Sequence, residues 1–163
     1  VNRDKSGTFR PYESVFLGYT FHRGNQARII VAPKSVKRLK EKLKVIYRRS
    51  RGTSLSFTIE KLTQILRGWR NYFSLDTRKE FFERLDINIR THLRCLIWRA
   101  WKKPRTRQKE LRKRGLNEHD TWKAAYNGRG PWWNAQTPQM RICIPNSMFV
   151  RFGLYSLKLQ GIA

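Results

Sequence analysis

The stretch CLIWRAWKKPRTRQKELRKRG, residues 95–115, joins an apolar helical run to the densest basic run in the chain, with Pro104 between them. Residues 99–114 hold nine Lys or Arg and one acid, and past Trp101 only Leu111 offers an apolar anchor. Such a segment either finishes a hydrophobic core or holds an anionic partner. Upstream of it, Phe82, Leu85, Ile89, Leu93, Leu96 and Ala100 fall within one narrow arc, which predicts a helix over 78–102. Trp98 points almost opposite that arc, with Arg94 beside it and Trp101 and Arg90 to one side. A helix does not normally leave a Trp bare there. Either the C-terminal segment folds over it, the preferred reading, or Trp98 and Trp101 stack on nucleic-acid bases.

Two further helices precede this one. Leu55, Ile59, Leu62, Leu66, Trp69 and Phe73 step at alternating spacings of four and three, a core stripe for a helix over 55–74. Trp69 lies on that stripe and reads as packing. Gly68, costly inside a helix, predicts close approach by another backbone. Ser35 is a candidate cap for a helix over 35–50, whose stripe is Val36, Leu39, Leu43, Ile46 and Tyr47. Beside that stripe Lys37, Lys40, Lys44, Arg48 and Arg51 form a row of one sign. A merely solvated face would carry Glu–Lys pairs, so phosphate contact is the preferred reading.

At the N-terminal end, VFLGYTFHRGNQARIIVA (15–32) alternates around the turn signal HRGN and predicts strands over 15–21 and 27–32. A lone hairpin is marginal in water, so a sheet is expected on its N-terminal side. After Pro104, two short helices split at Gly115 are expected, the second capped by Asn117. The remainder is turn-rich, with RICI (141–144) as a candidate strand and an apolar finish that can pack back on the bundle.

The charge balance narrows the partner. Thirty-six Lys and Arg against eleven acids leave +25 on 163 residues, while 39% apolar and 13% aromatic content can still build a core. That excess favours a polyanion, with nucleic acid ahead of a membrane surface. No run of 18 apolar residues and no signal-peptide pattern is present. Arg interleaved with aromatic rings suits RNA, because both can stack on bases. Cys95 and Cys143 are too few for a disulfide framework or a four-thiolate zinc site, and a reducing compartment is the default. Cys95 reads as a small core residue, and His22, His92 and His119 as surface or packing residues. No metal site is expected.

Taken in order, FLGYTF, LRGWRNYF, LRCLIWRAWKKPRTR…LRKRG, GPWW and IPN…F…GLYSL resemble the C-terminal part of group II intron-encoded reverse transcriptase/maturases. The resemblance covers nearly the whole chain. It implies a mainly α fold: residues 1–32 as the last hairpin of a polymerase palm, 33–102 as a three-helix thumb or maturase X domain, and 103–163 as a basic DNA-binding-type extension of short helices and irregular chain. The family's paired aspartates are missing, since Asp4, Asp76, Asp86 and Asp120 stand in unrelated contexts. This segment is therefore expected to be no enzyme, although a full-length parent would be an RNA-directed DNA polymerase. No zinc framework for an endonuclease domain is present either.

The resemblance implies an RNA-binding maturase module that stabilises folded intron RNA for splicing and mobility and grips template–primer in the full enzyme. Lys37, Lys40, Lys44, Arg48 and Arg51 would form one cationic rail. Arg94, Arg99, Lys102, Lys103, Arg105, Arg107, Arg112, Lys113 and Arg114 would form a second. Group II intron RNA, a template–primer duplex or target DNA, and an upstream reverse-transcriptase domain are the expected partners. No cofactor is expected in this segment, with Mg²⁺ reserved for the parent polymerase and the intron RNA. The expected setting is intracellular: bacterial cytoplasm or nucleoid, or an organelle. The competing class is a structural polycation like a ribosomal protein, disordered without RNA.

Overall fold

The computed structural model describes residues 10–24 and 28–158. Among them a two-stranded hairpin precedes eight helices, the mainly α architecture expected. Strands β1 (Tyr19–Phe21) and β2 (Ile29–Val31) pair antiparallel, Tyr19 opposite Val31 and Phe21 opposite Ile29. They are shorter than the sequence predicts. Leu17 and Gly18 both have positive φ, so residues 16–19 close a tight turn through paired Phe16–Tyr19 backbone bonds and cannot extend β1. Gly18 is required at that turn. A Cβ there would stand 2.9 Å from Ser35 Oγ and 3.1 Å from the Phe73 ring. Part of the predicted HRGN turn, and the start of the predicted second strand, lie outside the described residues.

Helix α1 (Pro33–Arg49) begins earlier than Ser35. Ala32 is the N-cap and Pro33 takes the first helical position, where its missing N–H costs nothing. Ser35 is no cap: inside the helix, its hydroxyl donates to the Gly18 carbonyl and ties α1 to the hairpin turn. Helix α2 (Leu55–Tyr72) is capped by Ser54, whose hydroxyl accepts from the Phe57 N–H. Leu39, Leu43 and Tyr47 of α1 meet Ile59, Leu62 and Leu66 of α2 in the core, as their stripes predict. Trp69 packs against Phe73 and Phe82. Gly68 has open space where a Cβ would lie, so no backbone approaches it and that expectation fails.

Helix α3 (Lys79–Ala100) is the central element. Phe82, Leu85, Ile89 and Leu93 face α1 and α2, while Arg94, Cys95 and Trp98 on its other sides are equally buried. The cover over Trp98 is protein. Helices α4 (Pro104–Lys113), α5 (Glu118–Tyr126), α6 (Pro131–Ala135), α7 (Pro138–Cys143) and α8 (Asn146–Arg151) wrap that side, and Leu111, Met140 and Phe149 from them, with Leu116 and Ile144 from the connections, join the same apolar cluster. Asn117 caps α5 as expected, accepting from the Asp120 N–H. RICI is not a strand. Thr137 caps α7 and Pro138 opens it, and Met140, Cys143 and Ile144 bury themselves at helical spacing.

Two buried carboxylates fasten the ends of the fold to α3. Asp76 accepts from the Val31 N–H of β2 at 2.9 Å and from the backbone and guanidinium of Arg78 at the start of α3. Asp86 accepts from the Ser156 hydroxyl at 2.6 Å and from the N–H groups of Leu157 and Lys158. Burial alone would raise the Asp76 pKa, but the Arg78 guanidinium and the Val31 N–H outweigh it and hold the carboxyl below its ordinary value near 3.8. A depressed pKa stabilises the fold above the unfolded-state value, and that stabilisation is lost as pH falls through the folded-state value. Asp76→Asn should therefore cost about 3 kcal/mol at neutral pH, the scale for breaking a buried charged pair. It should also flatten the loss of stability below about pH 4. Urea denaturation across a pH series measures both.

Candidate nucleic-acid interface

The five cations of the first row all reach the surface. Lys37, Lys40, Lys44 and Arg48 are all exposed along α1, and Arg51 follows in the turn after it. None of the five has a carboxylate partner among the described residues. The local cause is the helix periodicity: burying Leu39, Leu43 and Tyr47 forces the residues at neighbouring angles into solvent. Glu41 is the single acid in that helix, so the face keeps its sign.

The second rail divides. Arg99, Lys102, Lys103, Arg105 and Lys113 are exposed and free of ion pairs among the described residues. Arg112 is exposed and paired with Glu118. The others are structural. Arg94 is buried, its guanidinium donating to the Ile144 carbonyl at 2.9 Å and to Asn146 Oδ1 at 2.8 Å while lying over the Phe149 ring. Burial, with Arg141 and Arg90 nearby, pulls its pKa down to about 10, which leaves it charged at neutral pH. Arg107 is half-buried, donates to the Trp101 carbonyl and lies 4.8 Å over the Trp98 ring. Arg114 lies 5.0 Å over Trp101 and pairs with Glu110.

Base stacking on Trp98 and Trp101 is thereby overturned. Trp98 is 1% exposed and Trp101 8%, and their faces are covered by guanidinium groups of this same chain. The choice between core and partner resolves within a few residues. The tryptophans with Arg107 and Arg114 lock α4 onto the end of α3, Arg94 ties α3 to the chain around Ile144 and Asn146, and the other cations of the second row are exposed.

Sequence reasoning missed several outward cations. Lys109 shares a hollow with Arg105, Arg112 and Lys113 on the open face of α4. Its place four residues after Arg105 was the available signal. Arg38 and Lys42 flank the other side of α1, where a hollow of about 640 Å³ opens between the hairpin turn and α2. Most consequential is a groove of about 800 Å³ between the α1–α2 turn and the last turn of α3, which brings Arg51 of the first rail beside Arg99 and Lys102 of the second. His92, by contrast, packs: its ring stacks 4.4 Å from Tyr47 and lies 4.6 Å from Trp132, and burial together with Arg99 keeps its pKa below the ordinary value. Cys95 and Cys143 are both buried free thiols, the latter directed at the Leu111 carbonyl.

Residues 36–115, from the first stripe residue of α1 to the glycine that ends α4, match the family model of the group II intron, maturase-specific domain. The chain carries a group II intron maturase-specific domain over that span. The matched span carries the three bundle helices, the first rail and the groove, together with the basic helix α4. A maturase domain implies a role with a group II intron and intron RNA as its partner. No curated protein matches the chain. Among the described residues, no helix is long and apolar enough to cross a membrane.

The division of the basic residues has a direct consequence. Arg94→Met should cost about 3 kcal/mol, because it leaves the Ile144 carbonyl and Asn146 without their donor. Lys44→Gln should change stability by less than about 0.5 kcal/mol. Thermal melting of the two variants beside the parent chain distinguishes them.

Proposed function

We propose that this maturase domain binds folded intron RNA through its exposed cations and stabilises the ribozyme's active shape. The observation that carries the reading is the unpaired row Lys37, Lys40, Lys44 and Arg48 on α1, followed by Arg51 in the next turn and continued across the groove by Arg99 and Lys102. Cations fixed at helical spacing can follow a sugar–phosphate backbone without reading bases. They need no sequence code, only a surface of matching shape. In this reading the RNA and its Mg²⁺ carry the splicing chemistry and the protein is no catalyst. Asp76 and Asp86 are both engaged in holding the fold. Where a reverse-transcriptase domain is attached, the same face would grip template–primer, and α4 with its Arg105, Lys109 and Lys113 would face DNA or RNA beyond it.

A ribosomal-type polycation, folded only by RNA, is the competing class. The continuous core from Leu39 to Leu157 speaks for autonomous folding, and a cooperative helical melt of the free protein by circular dichroism would separate the two. For binding itself, the Lys37→Gln, Lys44→Gln, Arg48→Gln triple variant should weaken binding to folded group II intron RNA. It should also reduce the slope of log affinity against log salt by about 0.7–0.9 for each phosphate no longer neutralised. Filter binding across a salt series, with an unrelated duplex as competitor, is the measurement. An unchanged slope would remove α1 from the interface.

A further inference from the structure

We infer that the groove between the α1–α2 turn and the last turn of α3 takes one unpaired nucleotide of the bound RNA; this rests on the RNA-binding reading and sharpens it. The groove combines two surfaces that a plain phosphate track does not need together. Arg51, Arg99 and Lys102 line it, and so do the apolar side chains of Leu55, Leu96 and Ile97. No acid lines it. In a paired A-form stem the base faces are stacked inside, so a duplex lying on this surface would meet the cations and leave the apolar wall facing water. A nucleotide turned out of its stem carries both complements in one unit, a phosphate for the cations and two apolar base faces for the wall. The guanidinium planes of Arg51 and Arg99 add stacking surface of their own.

Size and geometry agree. A volume of about 800 Å³ lies within the range of small-molecule sites and exceeds what one nucleotide fills, leaving room for its flanking phosphates. The rim is bare at Gly52, where no atom stands within 4 Å of an added Cβ, so the turn leaves the mouth open. Arg51 and Arg99 are exposed and unpaired among the described residues, and so bring no internal carboxylate that a phosphate would have to displace. Leu55, Leu96 and Ile97 are only partly buried, although each packs on the core. The apolar wall is therefore anchored from beneath and accessible from above.

The test compares two RNA stem–loops that differ by a single bulged uridine, each titrated with the full chain. The intact protein should bind the bulged stem about tenfold tighter, within what stacking one base supplies. Ala100 is exposed and lines the groove, so Ala100→Leu fills it without entering the core. That variant should melt as the parent does, bind the paired stem unchanged and lose the preference for the bulge. Independently of any variant, 4-thiouridine at the bulge should photocrosslink to residues 50–58 or 96–102. Equal affinity for both stems, a bulge preference that survives Ala100→Leu, or crosslinks confined to other segments would overturn the nucleotide site while leaving cationic RNA binding intact. Failure to bind either stem at all would overturn both, since the underlying reading would then be wrong.

Discussion

The carboxylate of Asp86 is the contact on which the arrangement of this molecule turns. It sits in the first half of α3 and accepts three hydrogen bonds from residues 156–158, at the far end of the described chain. Arg70 of α2 completes the clasp by donating to the Leu157 carbonyl. Besides this clasp, the segment after α8 is held by Thr63, which donates to the Gly153 carbonyl and accepts from the Tyr155 N–H, by the exposed Lys158–Glu83 pair and by buried Leu157. With it, residues 156–158 are bound against α3, beside the second buried face of that helix, Arg94, Cys95 and Trp98, which the chain from α4 to α8 covers. A charge-assisted contact of this kind is shorter and stronger than a neutral one, and it specifies a single register for the tail.

The scarcity of acids explains where the positive charge ends up. Eleven acids cannot neutralise thirty-six basic residues, and several are committed to internal ties: Asp76 to Arg78 and β2, Asp86 to the tail, Glu110 to Arg114, Glu83 to Lys158. What remains on α1 and the open face of α4 is of one sign by arithmetic. The chemistry of the cations then sorts them. The buried and half-buried Lys or Arg positions among the described residues, 70, 78, 90, 94, 107 and 114, are all arginine, whose flat, multiply donating guanidinium can bond carbonyls and lie on an aromatic ring together, as at 70, 94, 107 and 114. No lysine among the described residues is buried. An ammonium there would lose its hydration without a flat, multiply donating group to bond carbonyls and cover a ring at once.

This sorting also explains what the sequence could and could not disclose. The stripes of α1, α2 and the first face of α3 were legible because 3–4 spacing decides which side of a helix turns to the core, although Ala100, the last residue of the α3 stripe, is exposed. Pro104, Gly115 and Asn117 were legible because caps and stops act locally. Trp98 was legible as an anomaly, pointing away from its own stripe, but the identity of its cover depended on Arg107 and on α4 folding back. Arg94 escapes sequence reasoning for the same reason: charge density counts a guanidinium without saying whether its donors meet water or the Ile144 carbonyl. Ser35 and RICI failed through competition between local signals. Pro33 begins the helix before Ser35 can, and a capped turn at Thr137 outweighs two β-branched residues. The groove was invisible because its walls are 48 residues apart, from Arg51 to Arg99, and only the packing of α1 and α2 on α3 brings them together.

The interface is thereby coupled to the core. The last turn of α3 carries Trp98 inward, Arg99 outward and Trp101 inward again within four residues. A rotation of that turn that moved Arg99 or Lys102 would also have to unseat two tryptophans from under Arg107 and Arg114. The α1–α2 turn opposite is equally fixed, because Tyr47 stacks on His92 of α3 and Ser54 caps the next helix at once. Flexible cations lose rotamer freedom when they grip phosphate, but here the backbone freedom has already been removed by packing. The buried arginines and the exposed ones are therefore parts of one device. The first set fixes the geometry, and the second holds its charge at the surface in that geometry.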